Sequence, residues 1–315
     1  MRTWKTLALA AGMALNVPAF ASSPFSSLVV FGDSLSDNGN LYRLIDGMTP
    51  LIPNDGQPGL PYFFGRFSNG PVAVEGMAAQ LGLPLADYAV AGAMTGTGHV
   101  SGNPALNGTG VLGQVAQFSA GLGGGADPGA LYVVWAGPND FWNGGDATTI
   151  ATAVGNLGSA VQMLNGLGAR NFLVPNMPDL GLTPRMTSLG MSGAAHGLTL
   201  AFNSALETEM LGLSLSGGGH VTMFDTYAFL NTALPSFSNT TGQCIQDPAC
   251  ILDSFNGGPA LGYLFWDEVH PTAGAHASLG VALAQAVPEP QTYAMLLAGL
   301  GVIGWIARRR TVAFA

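Results

Sequence analysis

Lysine is absent from residues 22–287 of this 315-residue chain, and only Arg43, Arg66, Arg170 and Arg185 supply positive charge there. The same stretch holds 17 of the 18 acidic residues, a formal charge of −13. A nucleic-acid binder neutralises phosphates with clustered cations, and none are spare. Nucleic acid is therefore excluded as a partner, and adhesion to an anionic membrane surface is disfavoured on the same grounds. Charge of either sign is scarce, at 9% of residues, while apolar residues reach 48%. An average soluble domain has roughly 25% charged residues. The low hydrophobicity and high charge of disordered chains are thus missing. The 46 glycines and 20 prolines make a loop-rich chain that stops short of low complexity.

The remaining cations sit at the two ends, beside apolar runs. Met1–Ala21 has the form of a secretory signal: Arg2 and Lys5, an apolar Thr6–Val17, and a small-x-small Ala19-Phe20-Ala21. Its run is too short for an uncleaved anchor helix. At the other end Val287-Pro288-Glu289-Pro290 and Gln291-Thr292 precede an apolar Tyr293–Ala307 and then Arg308-Arg309-Arg310. Fifteen residues are slightly short for a span at 1.5 Å each, and tilt or bilayer thinning absorbs the mismatch. The arginines would stay cytoplasmic. This arrangement resembles the PEP-CTERM sorting tail of Gram-negative bacteria that make extracellular polysaccharide. The resemblance implies exosortase-type sorting machinery as a partner, transient anchoring in the inner membrane and processing near Pro-Glu-Pro. The expected destination is the cell surface or the medium.

Export predicts oxidised thiols. Cys244 and Cys250 lie six positions apart in a loop rich in Gly, Asn, Pro and Asp, and are expected to form a disulfide. With no histidine nearby at ligand spacing, no metal site is expected.

The expected organisation is a signal peptide at 1–21, a single domain at 22–287 and a sorting tail at 288–315. Short apolar runs rich in β-branched and aromatic residues predict buried strands at Leu28–Phe31, Leu131–Ala136, Phe172–Val174 and Val221–Phe224. Helical patterns fall between them at Val72–Leu81, Thr148–Leu167, Ala194–Leu213 and Ala273–Ala286. The alternation predicts an α/β/α sandwich with a mainly parallel, flavodoxin-like sheet. Leu41–Leu60 and Gly96–Gly113 read as long surface loops around a site beyond the carboxyl ends of the strands.

Four motifs bear chemistry. Phe31-Gly32-Asp33-Ser34-Leu35 follows the first strand, where Ser34 either presents a hydroxyl and its backbone N–H at the sheet edge or caps a helix. In Trp266-Asp267-Glu268-Val269-His270-Pro271, Asp267 and His270 are three apart, so the carboxylate can hold the imidazole tautomer that accepts a serine proton. In Ala136-Gly137-Pro138-Asn139-Asp140 the Asn139 amide either donates to an oxyanion or closes an ordinary turn. In Tyr88–Thr95, Gly92 allows close backbone approach. His99, His196, His220 and His276 lack an acidic residue at that spacing and read as structural or exposed.

In this order the four motifs resemble the SGNH hydrolases, also called GDSL esterases/lipases, from about Leu28 to Gln285. Gly65-Arg66-Phe67-Ser68-Asn69-Gly70 and His270-Pro271-Thr272 with Ala275-His276 add to the likeness. The resemblance implies Ser34 as nucleophile, His270 as base and Asp267 as its orienter. It also implies an oxyanion hole of Ser34, Gly92 and Asn139, although Ala91-Gly92 stands where many relatives have two glycines. No cofactor is implied. Expected substrates are carboxylic esters: short-chain acyl esters, lipids or O-acetylated polysaccharide. Acyl transfer by the same acyl-enzyme, or a non-catalytic surface or biofilm-matrix role, are the alternatives.

Overall fold

In the computed structural model, residues 23, 25–45, 62–287 and 300 are described. The expected leader and, but for Leu300, the expected sorting tail lie outside them. Five strands form one sheet: β1 (Leu28–Gly32), β2 (Leu85–Asp87), β3 (Leu131–Trp135), β4 (Asn171–Pro175) and β5 (His220–Phe224). Their order is β2-β1-β3-β4-β5, and every neighbouring pair is parallel. The alternation of strands and helices predicts this sheet, because parallel neighbours need a crossover helix between them.

Both faces are covered, which explains the uninterrupted apolar runs. Alternate residues of a strand point to opposite faces. Val29, Phe31, Tyr132, Val134 and Phe172 pack on one side with residues of α3 (Val111–Gly121), α4 (Ala147–Leu167) and α6 (Ser192–Gly212). Leu28, Val30, Val133, Trp135 and Leu173 pack on the other with α2 (Ala73–Leu81) and α9 (Ala273–Ala286). α4 begins on Asp146, whose carboxylate accepts from Thr148 N and Thr149 N.

α2 and α9 run side by side in the same direction. Ala73 N donates to His276 Nδ1 at 3.2 Å, and a Cβ on Gly280 would lie 2.6 Å from Ala73 O. α2 leads down to β2, whose first residue Leu85 pairs with Leu28, so both helices descend to the amino edge of the sheet.

Two expectations need correction. Gly96–Gly113 is not all loop: Pro104–Leu106 forms a 3-10 turn, and α3 starts at Val111. Leu41–Leu60 starts within α1 (Asn40–Leu44), and 46–61 lie outside the described residues. Beyond the main sheet, α5 (Pro184–Ser188) precedes α6, and α7 (Thr226–Ala233) follows β5. A small second sheet pairs β6 (Asn239–Gln243) with β7 (Tyr263–Phe265), with α8 (Pro248–Phe255) between them. Cys250 therefore sits on a helix rather than in a loop. Among the described residues no helix is long and apolar enough to cross a membrane.

Candidate active site

The site forms where β1 and β3 end. A Cβ on Gly32 would lie 2.5 Å from Trp135 O, so only glycine lets the two strand ends approach this closely. A tight turn follows: Ser36 N and Asp37 N both donate to Asp33 O, at 3.0 and 2.9 Å. α1 starts only at Asn40, with Gly39 as its N-cap, so Ser34 caps no helix. Its Oγ lies 2.8 Å from His270 Nε2, across 236 positions of chain.

The other nitrogen of that ring faces Asp267, with Nδ1 at 2.7 Å from Oδ2 and 2.9 Å from Oδ1. A carboxylate only accepts, so Nδ1 carries the proton and Nε2 is left to accept from the Ser34 hydroxyl. Asp267 Oδ1 also accepts from Val269 N and His270 N at 2.9 and 2.7 Å, and Oδ2 accepts from Tyr62 Oη at 2.8 Å. Burial pushes the Asp267 carboxyl up, but the His270 charge and the hydrogen bonds from His270 and Val269 N outweigh it and hold the pKa below its ordinary value.

The turn bearing this pair is braced on several sides. Trp266 N donates to His270 O, and Ile245 N donates to Trp266 O. Cys244 and Cys250 are bonded as a disulfide, and both are buried with Trp266 and Ala260. Ser68 Oγ donates to Pro271 O and Ala273 N donates to Asn69 Oδ1, so the Gly65–Gly70 stretch clamps the residues after His270. Arg185 pairs with Glu268 at 2.9 Å while its guanidinium lies 4.0 Å over the Trp142 ring.

Gly92, Asn139, Ser34 and His270 line one cavity of ≈ 240 Å³ walled mainly by apolar side chains, among them Phe67, Val100, Phe141, Leu180 and Leu230. Gly92 has φ +80°, a conformation that favours glycine. Among the described residues, neither Ser34 N–H nor Gly92 N–H donates to a protein acceptor. Asn139 Nδ2 spends one hydrogen on Ala93 O at 3.0 Å and retains a second. Asp140 accepts from both Thr95 N and Thr95 Oγ1, which ties the Gly137–Asp140 turn to the Gly92 loop.

The structure thus brings together Ser34, Asp267, His270, Gly92 and Asn139. Sequence reading missed Tyr62, whose link to Asp267 spans 205 positions and leaves no local pattern. It also placed two histidines incompletely. His99 lines the cavity. His196 has an acidic partner, Asp179, at 2.9 Å, but 17 positions away. Asp33 is wholly buried, and burial, opposed by its bond from Leu35 N, pushes its carboxyl up to about 7. Among the described residues no cluster of three or more His, Cys, Asp or Glu could hold a metal ion.

A comparison of solved structures finds likeness to a member of the lipolytic protein G-D-S-L family from Veillonella parvula. It has 15% identity and a TM-score of 0.47, covering 83% of this chain and 97% of that one. The chain is 31% identical over 321 residues to phosphatidylcholine-sterol acyltransferase of Aeromonas hydrophila, covering 85% of this chain and 92% of that one. It is 27% identical to thermolabile hemolysin of Vibrio parahaemolyticus, covering 83% of this chain and 63% of that one. Residues 286–310 match the PEP-CTERM protein-sorting motif, which marks exported proteins for exosortase processing. A match to GDSL-like Lipase/Acylhydrolase runs over residues 28–283, from the first strand into α9, so this chain belongs to that family of serine ester hydrolases.

Proposed function

We propose that the protein is an exported carboxylic-ester hydrolase that works through an acyl-enzyme on Ser34. The observation that carries this is the continuous chain Ser34 Oγ–His270 Nε2 and His270 Nδ1–Asp267 at the wall of an apolar cavity. In this reading Ser34 Oγ attacks the ester carbonyl while His270 Nε2 takes its proton, and Asp267 stabilises the imidazolium. Ser34 N–H, Gly92 N–H and the free Asn139 N–H meet the oxyanion. His270 returns the proton to the leaving alkoxide, and the alcohol departs. Water, deprotonated by the same imidazole, then cleaves the acyl-enzyme.

The apolar lining favours an aliphatic acyl group, so lipids or short-chain esters come before O-acetylated polysaccharide. The similarity to a phosphatidylcholine-sterol acyltransferase supports one second reading: an alcohol takes the place of water in the last step. The corresponding limits are a leader at 1–21, a hydrolase domain at 22–287 and a sorting tail at 288–315.

The test is turnover of nitrophenyl esters from acetate to laurate by wild type and Ser34→Ala, with and without a competing alcohol. Wild type should turn over and Ser34→Ala should fall by on the order of 10³-fold or more, with unchanged thermal stability. Turnover retained in Ser34→Ala would overturn the nucleophile assignment, and an inert wild type would leave the matrix-protein reading. Ester exchange exceeding hydrolysis would mark a transferase.

A further inference from the structure

The three residues around Gly92 have nearly all their backbone polar groups engaged. Ala91 N donates to Asp37 Oδ2 at 2.7 Å, Val100 N donates to Gly92 O at 2.8 Å, and Ala93 N donates to Val90 O at 3.0 Å. Ala93 O accepts from Asn139. The remaining acceptor, Ala91 O, lies 2.8 Å from His99 Nε2. Among the described residues, the one group left over is Gly92 N–H.

His99 has its tautomer fixed from both sides. Its Nδ1 lies 3.1 Å from Ser101 N and 2.8 Å from Ser101 Oγ. A backbone N–H only donates, so Nδ1 is the acceptor. A carbonyl only accepts, so Nε2 carries the proton and donates it to Ala91 O. Ala91 C=O and Gly92 N–H belong to the same peptide unit. The ring also lies directly against Gly92: a Cβ there would meet His99 Nε2 at 2.5 Å and Cε1 at 2.6 Å. Donation to one end of an amide draws charge from the N–H at its other end, and chains of hydrogen bonds strengthen one another by about 10–30% per bond.

We propose that His99 is a positioning residue of the oxyanion site: its Nε2–H polarises the Ala91–Gly92 peptide and fixes the plane in which Gly92 N–H faces the cavity. This rests on the reading of Gly92 N–H as an oxyanion donor. His99 touches the peptide rather than the reacting ester, so its effect falls on the transition state, where charge on the oxygen is greatest.

The test pairs His99→Gln with His99→Met, side chains of similar length of which only the first keeps an N–H donor. On one nitrophenyl ester, His99→Met should lose about tenfold in kcat with KM held within about twofold. That loss is smaller than the ~10²–10³ of losing a whole oxyanion donor. His99→Gln should recover most of the loss. Wild-type kcat in His99→Met, a loss confined to KM, or equal losses in both variants would overturn the proposal. Should the variants not fold, long-range ¹⁵N–¹H spectra of histidine-labelled wild type decide it: an Nε2–H tautomer is expected, and Nδ1–H at His99 would overturn it. Wild type and Ser34→Ala, assayed alongside, test the ester-hydrolase reading separately.

Discussion

Asp33 stands beside Ser34 with half its carboxylate engaged. Oδ1 accepts from Leu35 N at 3.0 Å, and Oδ2 is buried without a hydrogen-bond partner among the described residues. Burial raises its pKa from 3.8 to about 7, against the pull of Leu35 N–H and the His270 charge. The folded protein therefore holds this proton more tightly than the unfolded chain does. The stability this confers is fully present below 3.8, is lost progressively as pH rises to about 7, and then levels off. An asparagine at this position would keep an acceptor for Leu35 N–H and would not titrate. In urea melts across that window, Asp33→Asn should gain on wild type with rising pH, by on the order of 4 kcal/mol at the upper end. Parallel pH profiles would show that Asp33 does not titrate this way.

At this scale the short motifs were readable, since Ser34, Asn139 and the Asp267–His270 pair each lie within a few positions of a strand end or a turn. Tyr62, His99 and Arg185 were not readable as partners. Each acts on a group brought to it only by the folded chain, and a lone tyrosine, histidine or arginine leaves no periodic mark.

Among the elements, the segment from β6 to β7 carries the turn that holds Asp267 and His270. The disulfide closes a short loop across it, with both sulfurs wholly buried under Trp266, whose backbone holds His270 O and Ile245 N. In the chain-entropy account a loop of this length is worth about 2 kcal/mol. Replacing both cysteines by serine should lower the thermal midpoint by several degrees, and kcat should fall before global unfolding begins, because the turn loosens first. Loss of activity that merely tracks global unfolding would show that the bond does not support the turn.

Strands β1, β3 and β4 were legible because burial on both faces writes continuous apolar runs, and β5, a half-covered edge strand, through the β-branched and aromatic residues of Val221–Phe224. α4, α6 and α9 were legible by their helical period. β2 was not: three residues at a sheet edge, two half-covered and one exposed, carry no pattern. α3 hides Val111, Val115 and Phe118 behind a glycine-rich approach and contains two glycines itself. The proline and the turn-forming residues around α8 disguise a helix that starts on the Asp247 cap.

Over the whole molecule, charge shapes what reaches the cavity. With −13 over residues 22–287, the field repels anionic substrates at long range, and salt screens it over ~10 Å at 0.1 M. Raising ionic strength should therefore raise kcat/KM severalfold for an ester carrying a carboxylate and leave a neutral ester of the same acyl length unchanged. Equal salt responses would place the selectivity in the cavity rather than in the field.

His270 and Val287 lie at opposite ends of α9, whose 14 residues span about 21 Å. Val287, the last described residue ahead of Pro288-Glu289-Pro290 in the sorting motif, thus lies at the end of α9 away from His270. Attachment through the chain beyond Val287 would take hold at the far end of α9 from the Ser34–His270 pair.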